Sequence, residues 1–286
     1  MKKIHLIIII LLSILKTNAQ SLEKAPLHHL KSHFNAKTYE LKVSLPQKYS
    51  IQDSLRYPVL YVLDGKYAFN SMSSIREGLD LGKEIKEIII VSIEAVHSSQ
   101  NEWFANRQND YTPSRIPQAD TLWSKILNIP DGMLVSGGAD NFLNTLEHDL
   151  LPFIDAHYKT TADRGLSGHS LGGLLTGYCL LKKPHLFKRY GILSPSFWWN
   201  NGEMLQNEVT FANENTELNA KVFFSAGSAE DVILRNAFTS FTNAMKSRNY
   251  KGLTMNVKVF EGETHLSVVP ACSSRTLKVL YGANVL

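Results

Sequence analysis

Cysteine, clustered positive charge and long apolar runs are scarce in this 286-residue chain, and each scarcity excludes something. Two cysteines, Cys179 and Cys272, are too few for the disulfide framework that organises small secreted domains. Cys179 lies in the apolar run 174–181, which favours a buried thiol, although spacing alone leaves pairing with Cys272 open. The formal net charge is +4, part of it from Lys2, Lys3 and Lys16, and no basic cluster of the kind that follows a phosphate backbone is visible. A nucleic-acid partner is therefore not expected. No apolar run approaches the roughly 20 residues needed to cross a bilayer. His28, His29 and His33 stand close together without a matching ligand set and read as a solvated N-terminal segment, so neither a metal nor an organic cofactor is expected.

What the N-terminus does contain is a basic Met1-Lys2-Lys3, an apolar stretch 4–15 and a small residue, Ala19, before Gln20. This is the pattern of a signal peptide over 1–19, too short for a permanent anchor. The mature chain, 20–286, is expected to be exported to a periplasm or secreted, with no stable membrane insertion after cleavage. With 44% apolar residues it can bury a substantial core.

The pattern along that chain is α/β. Strand-length apolar runs at 57–63, 88–93, 189–193, 221–225 and 255–260 are separated by helix-like segments. Several are continuous rather than alternating, as expected for strands covered on both faces of a mostly parallel sheet. The alternating segment 39–45 reads as a half-exposed edge strand that opens the sheet and is ended by Pro46. Residues 140–157 repeat leucine and isoleucine at helical spacing, with a break expected at Pro152. The stretch 98–130 has little periodicity, three prolines and the aromatics Trp103, Phe104, Tyr111 and Trp123, and reads as a long loop expected to form a lid or pocket wall within a single domain.

One pentapeptide carries chemistry: Gly168-His169-Ser170-Leu171-Gly172. A short segment leads into it and a run of small residues follows, which is the strand–turn–helix context of a nucleophile elbow. Such a turn would lift Ser170 toward a base and set the Leu171 amide where an oxyanion forms. His265 is the candidate base, because it is the histidine after Ser170 that stands in a strand-following loop, whereas His185 sits beside Pro184 near a helix end. Glu230 and Asp231 follow the strand 221–225. Either would orient an imidazole, and either would serve as an acidic residue at the start of the next helix.

At these residues the chain resembles the putative-esterase branch of the α/β-hydrolases, which includes esterase D-like enzymes, enterochelin-type siderophore esterases, feruloyl esterases and mycolyl-transferring relatives. The carriers are 59–65, ending in Leu63-Asp64-Gly65, then 106–113, with Arg107 and Tyr111-Thr112-Pro113, then 167–174, then Ser194-Pro195-Ser196-Phe197-Trp198-Trp199, and Gly262-Glu263-Thr264-His265. The resemblance implies an α/β-hydrolase fold with helices on both faces of the sheet, and a second oxyanion donor just after Asp64-Gly65, the Lys66 amide. It favours Glu230 over Asp231, although some siderophore esterases of the branch manage with Ser and His alone. One basic residue common in the branch is absent from 106–113. Arg107 then either binds an acidic or catecholic substrate group or pairs with Asp110. Trp198 and Trp199 either line the substrate pocket or pack in the core. Three activities remain open on the sequence: hydrolysis of a small-molecule ester such as a siderophore lactone or a feruloyl-type ester, acyl transfer with the same residues, and a non-catalytic binding module.

Overall fold

The computed structural model of this chain describes residues 25–52 and 54–283. Segment 1–19, read as a signal peptide, lies outside the described residues. The elements in chain order are β1 (Leu27–Lys31), β2 (Thr38–Ser44), β3 (Tyr57–Val62), α1 (Gly65–Leu81), β4 (Ile89–Ala95), α2 (Gln100–Tyr111), α3 (Pro117–Leu127), α4 (Ala139–Thr145), α5 (Leu151–His157), β5 (Thr160–His169), α6 (Leu171–Lys182), β6 (Arg189–Leu193), α7 (Trp199–Glu214), β7 (Lys221–Gly227), α8 (Val232–Arg248), β8 (Thr254–Phe260) and α9 (Val269–Tyr281).

The eight strands form one sheet in the order β1-β2-β4-β3-β5-β6-β7-β8. β1 and β2 run antiparallel to their neighbours, and every pairing from β4 to β8 is parallel. The continuous apolar strands are covered on both sides. Val59 and Tyr61 face a core shared with α4 to α8, while Leu60 and Val62 face a second core shared with α1 and α9. This two-sided burial is why those strands show no alternation in sequence.

Two expectations are corrected. The segment 39–45 does not open the sheet: β2 lies between β1 and β4, and β1, containing His28 and His29, is the edge. His28 is part of the packing, its ring nitrogen 2.6 Å from the Tyr158 hydroxyl and its ring edge-on to Phe153. The stretch 98–130 is mostly helical, forming α2 and α3. The break expected at Pro152 is present as a π-helical turn, Leu146–Leu150, between α4 and α5. Proline has no N–H to donate to the preceding turn, and the ladder loosens there.

Cys179 and Cys272 are free, fully buried thiols, and burial raises both, Cys272 to about 12. Both should resist an aromatic disulfide reagent in the native protein and titrate only in denaturant. The thermal midpoint should be unchanged by reductant; a midpoint that falls on reduction would contradict free thiols.

Candidate active site

β5 runs into α6 through a single residue, Ser170, at φ 61° and ψ −119°. A non-glycine residue held there stores on the order of 1–3 kcal/mol of strain, which the packed strand and helix on either side must offset. Gly168 permits the turn, because a Cβ at that position would lie 2.3 Å from the Gly172 carbonyl oxygen. Ser170 thereby stands half-buried at the carboxyl end of the central strand, and the Leu171 amide, at the first position of α6, has no acceptor within its helix.

His265 and Glu230 converge on this serine from the two neighbouring loops. The Ser170 hydroxyl is 2.9 Å from His265 Nε2, and His265 Nδ1 is 3.0 Å from Glu230 Oε2. A carboxylate is an acceptor, so Nδ1 carries the imidazole proton and Nε2 is left to accept the serine proton. Glu230 is buried and its other oxygen accepts hydrogen bonds from the Gly227 amide at 2.6 Å and the Ser194 hydroxyl at 2.7 Å. Burial pushes its pKa up, but the contacts to His265, Gly227 and Ser194 outweigh this and hold it below the ordinary glutamate value. Asp231 turns away and caps α8, accepting from the Ile233 amide at 2.8 Å. The two adjacent acids thus take the two jobs that the sequence left open between them.

The two loops fit closely. A Cβ at Gly227 would meet the Glu263 carbonyl oxygen at 2.1 Å, and the Ala229 amide donates to that same oxygen at 3.0 Å. His169 contributes from the elbow side. Its Nε2–H donates to the His265 carbonyl at 2.8 Å, and its ring lies 4.6 Å from the His265 ring. Burial, with His265 and Arg107 nearby, lowers its pKa to about 3, so it remains a neutral donor.

Arg107 does not pair with Asp110, one of the two roles open for it on the sequence. Its guanidinium grips Asp64 with two hydrogen bonds, 2.7 and 3.0 Å, and donates a third to the His169 carbonyl at 2.9 Å. Asp110 is instead satisfied by Lys37 at 2.6 Å and Tyr39 at 2.8 Å. Arg107 therefore joins the end of β3 to the serine turn. Trp198 and Trp199 do not line the cavity into which Ser170 opens. Phe197 inserts against Phe241, Trp199 follows into the core, and Trp198 turns toward Trp123.

The sequence profile described as Putative esterase matches residues 32–128 and 135–267. The chain belongs to the putative esterase family. It is 28% identical over 271 residues to ferri-bacillibactin esterase BesA of Bacillus subtilis (strain 168), covering 92% of this chain and 91% of that protein. The BES protein from Bacillus cereus superposes with a TM-score of 0.76 at 28% identity, covering 91% of this chain and 95% of that one. An IroE-like serine hydrolase from Shewanella oneidensis gives 0.76 at 26% identity, with 90% and 80% covered. This putative esterase is accordingly a carboxylic ester hydrolase of the α/β-hydrolase fold.

In this esterase the serine opens into a cavity of about 650 Å³ bounded by α1, α2 and α9. Tyr67, Phe104 and Leu266 stand at its rim, and Trp103 forms a wall from α2. The 98–130 stretch thus reaches the cavity through one face of a helix. The Lys66 amide is already engaged, donating at 2.8 Å to Glu94 Oε2 at the end of β4. Glu94 had given one sign of itself: a carboxylate near the end of a mostly apolar strand. Its side chain is 13% exposed, and burial raises its pKa to about 7 despite the Lys66 amide.

Between about pH 4.5 and 7 the folded chain retains a proton on Glu94 that the unfolded chain has released, so this site costs stability as pH rises through that window. Glu94→Gln keeps an acceptor for the Lys66 amide and removes the charge. Its stability relative to the parent chain should rise from pH 4 to pH 8, by on the order of 3 kcal/mol, in urea unfolding at the two pH values. An equal difference at both would place Glu94 among ordinary carboxylates.

Proposed function

We propose that this esterase cleaves carboxylic esters through a covalent acyl-enzyme on Ser170. The observation that carries the reading is the unbroken chain from the Ser170 hydroxyl to His265 Nε2 and from His265 Nδ1 to Glu230, 2.9 and 3.0 Å long. His265 takes the serine proton as Oγ adds to the ester carbonyl, and Glu230 stabilises the imidazolium that forms. The tetrahedral oxyanion draws on the Leu171 amide and the positive end of α6. The imidazolium then returns its proton to the departing alcohol, the carbonyl re-forms, and Ser170 holds the acyl group. Water, deprotonated by the same imidazole, releases the acid and restores Ser170.

The Lys66 amide is the second oxyanion donor in this reading, and it must exchange Glu94 for the substrate oxygen before it can act. One such donor is worth roughly 3 kcal/mol in this chemistry. The apolar and aromatic lining of the cavity supports a small-molecule ester, such as a siderophore ester of the kind named for the Bacillus subtilis relative or a feruloyl-type ester. Export of the mature chain, 20–286, belongs to the same reading and rests on the composition of 1–19.

Ser170→Ala should lower kcat by at least about 10⁴-fold without loss of folding; turnover equal to the parent chain would remove the nucleophile. Glu230→Gln should lower kcat by on the order of 10³–10⁴. Asp231→Asn should stay within a few-fold of the parent, since asparagine caps a helix about as well as aspartate. The reverse ranking of the two acids would refute the assignment of Glu230.

A further inference from the structure

The cavity at Ser170 has two ends with different chemistry. Its rim is aromatic and open, with Tyr67 57% and Leu266 75% exposed. Its floor runs between α1 and α9 and is lined by Val62 at the end of β3, Met72 from α1, Leu193 at the end of β6 and Val269 from α9, with the hydroxyls of Ser71 and Ser273 on the two helices. Val62, Met72 and Leu193 are each no more than 3% exposed. Val62, Met72 and Leu193 belong to the smaller of the two cores, so the cavity that holds the serine borders that core.

Charge is accounted for along the same walls. Among the described residues lining the cavity, the carboxylate and guanidinium groups are Asp64 and Arg107, and they neutralise each other through paired hydrogen bonds. His169 is held neutral and committed to the His265 carbonyl. Among the described residues no cationic side chain lines the floor to receive an anion, and transfer of an unpaired carboxylate into such surroundings is strongly unfavourable. The volume, about 650 Å³, falls within the range of small-molecule sites, roughly 300–1,000 Å³.

We propose that the floor between α1 and α9 is the acyl subsite and that it selects an uncharged, apolar acyl group extending beyond acetyl. This rests on the acyl-enzyme reading above and deepens it by naming the part of the ester that is buried. The alcohol portion and any charged or chelating groups of the substrate remain at the rim, in contact with water. Discrimination between acyl groups then comes from apolar burial, up to roughly fourfold per methylene.

The test is a series of p-nitrophenyl esters, acetyl, butyryl, octanoyl and the anionic succinyl, with the parent chain and with Ala68→Phe, which adds a ring on the α1 wall of the cavity. For the parent chain kcat/KM should rise from acetyl to octanoyl, and butyryl should exceed succinyl by at least tenfold. Ala68→Phe should lower the octanoyl-to-acetyl ratio by tenfold or more. Succinyl turned over as fast as butyryl, a flat or falling chain-length profile, or equal losses on acetyl and octanoyl in Ala68→Phe would overturn the subsite. Brisk acetyl turnover that Ser170→Ala abolishes would leave the hydrolase reading standing in that case. Absence of any Ser170-dependent turnover would instead remove the hydrolase reading, and this inference with it.

Discussion

A buried guanidinium ties together the pieces of chain on which the site depends. Arg107 reaches from α2 to the Asp64 carboxylate at the end of β3 and to the His169 carbonyl just before the serine turn. Asp64 itself is left-handed, φ 57° and ψ 49°, and Ser170 is strained at φ 61°. Two unfavourable backbone conformations in adjacent loops persist only where their surroundings over-determine them. The ion pair supplies part of that constraint, and the close approach of Gly168 to Gly172 supplies another. Removing one partner would leave the other charged and buried, a loss of roughly 3–5 kcal/mol in comparable cases. Arg107 thus fixes the backbone of both turns while it lines the cavity.

Burial pushes both nearby glutamates up, and their partners decide where each one ends. Glu230 receives an imidazole, an amide and a hydroxyl, and stays below the ordinary glutamate range. For Glu94, burial and the Asp64 carboxylate outweigh the Lys66 amide and His97, 4.0 Å away, and the pKa rises to about 7. One is equipped to steady a neighbouring positive charge throughout the neutral range. The other changes charge within it, while holding an amide that the proposed oxyanion hole would need.

Much of this was legible in the sequence, for physical reasons that also explain the rest. The parallel strands announced themselves as continuous apolar runs because both faces are buried, and the serine turn because its glycines and following small residues are sterically required. β1 was hidden because it is a polar edge strand whose His28 packs through its ring. α2 was hidden because much of what it buries is polar. Gln108 and Asp110 are satisfied by Asp120, Lys37 and Tyr39 from other elements, and such pairing leaves no hydrophobic period. The partner of Arg107 stands 43 residues away, beyond anything spacing reveals. The position of Trp198 and Trp199 after a strand left pocket and core equally open, and the turn through Phe197 directs them into packing.

The central claim is that Ser170 is a nucleophile activated by His265. Treatment of the folded chain with a fluorophosphonate, followed by peptide mapping, tests it most directly. The account predicts one adduct per chain, on Ser170, formed far more slowly in His265→Ala. A folded chain that takes no adduct, or that takes it on another residue while ester turnover is lost, would contradict it.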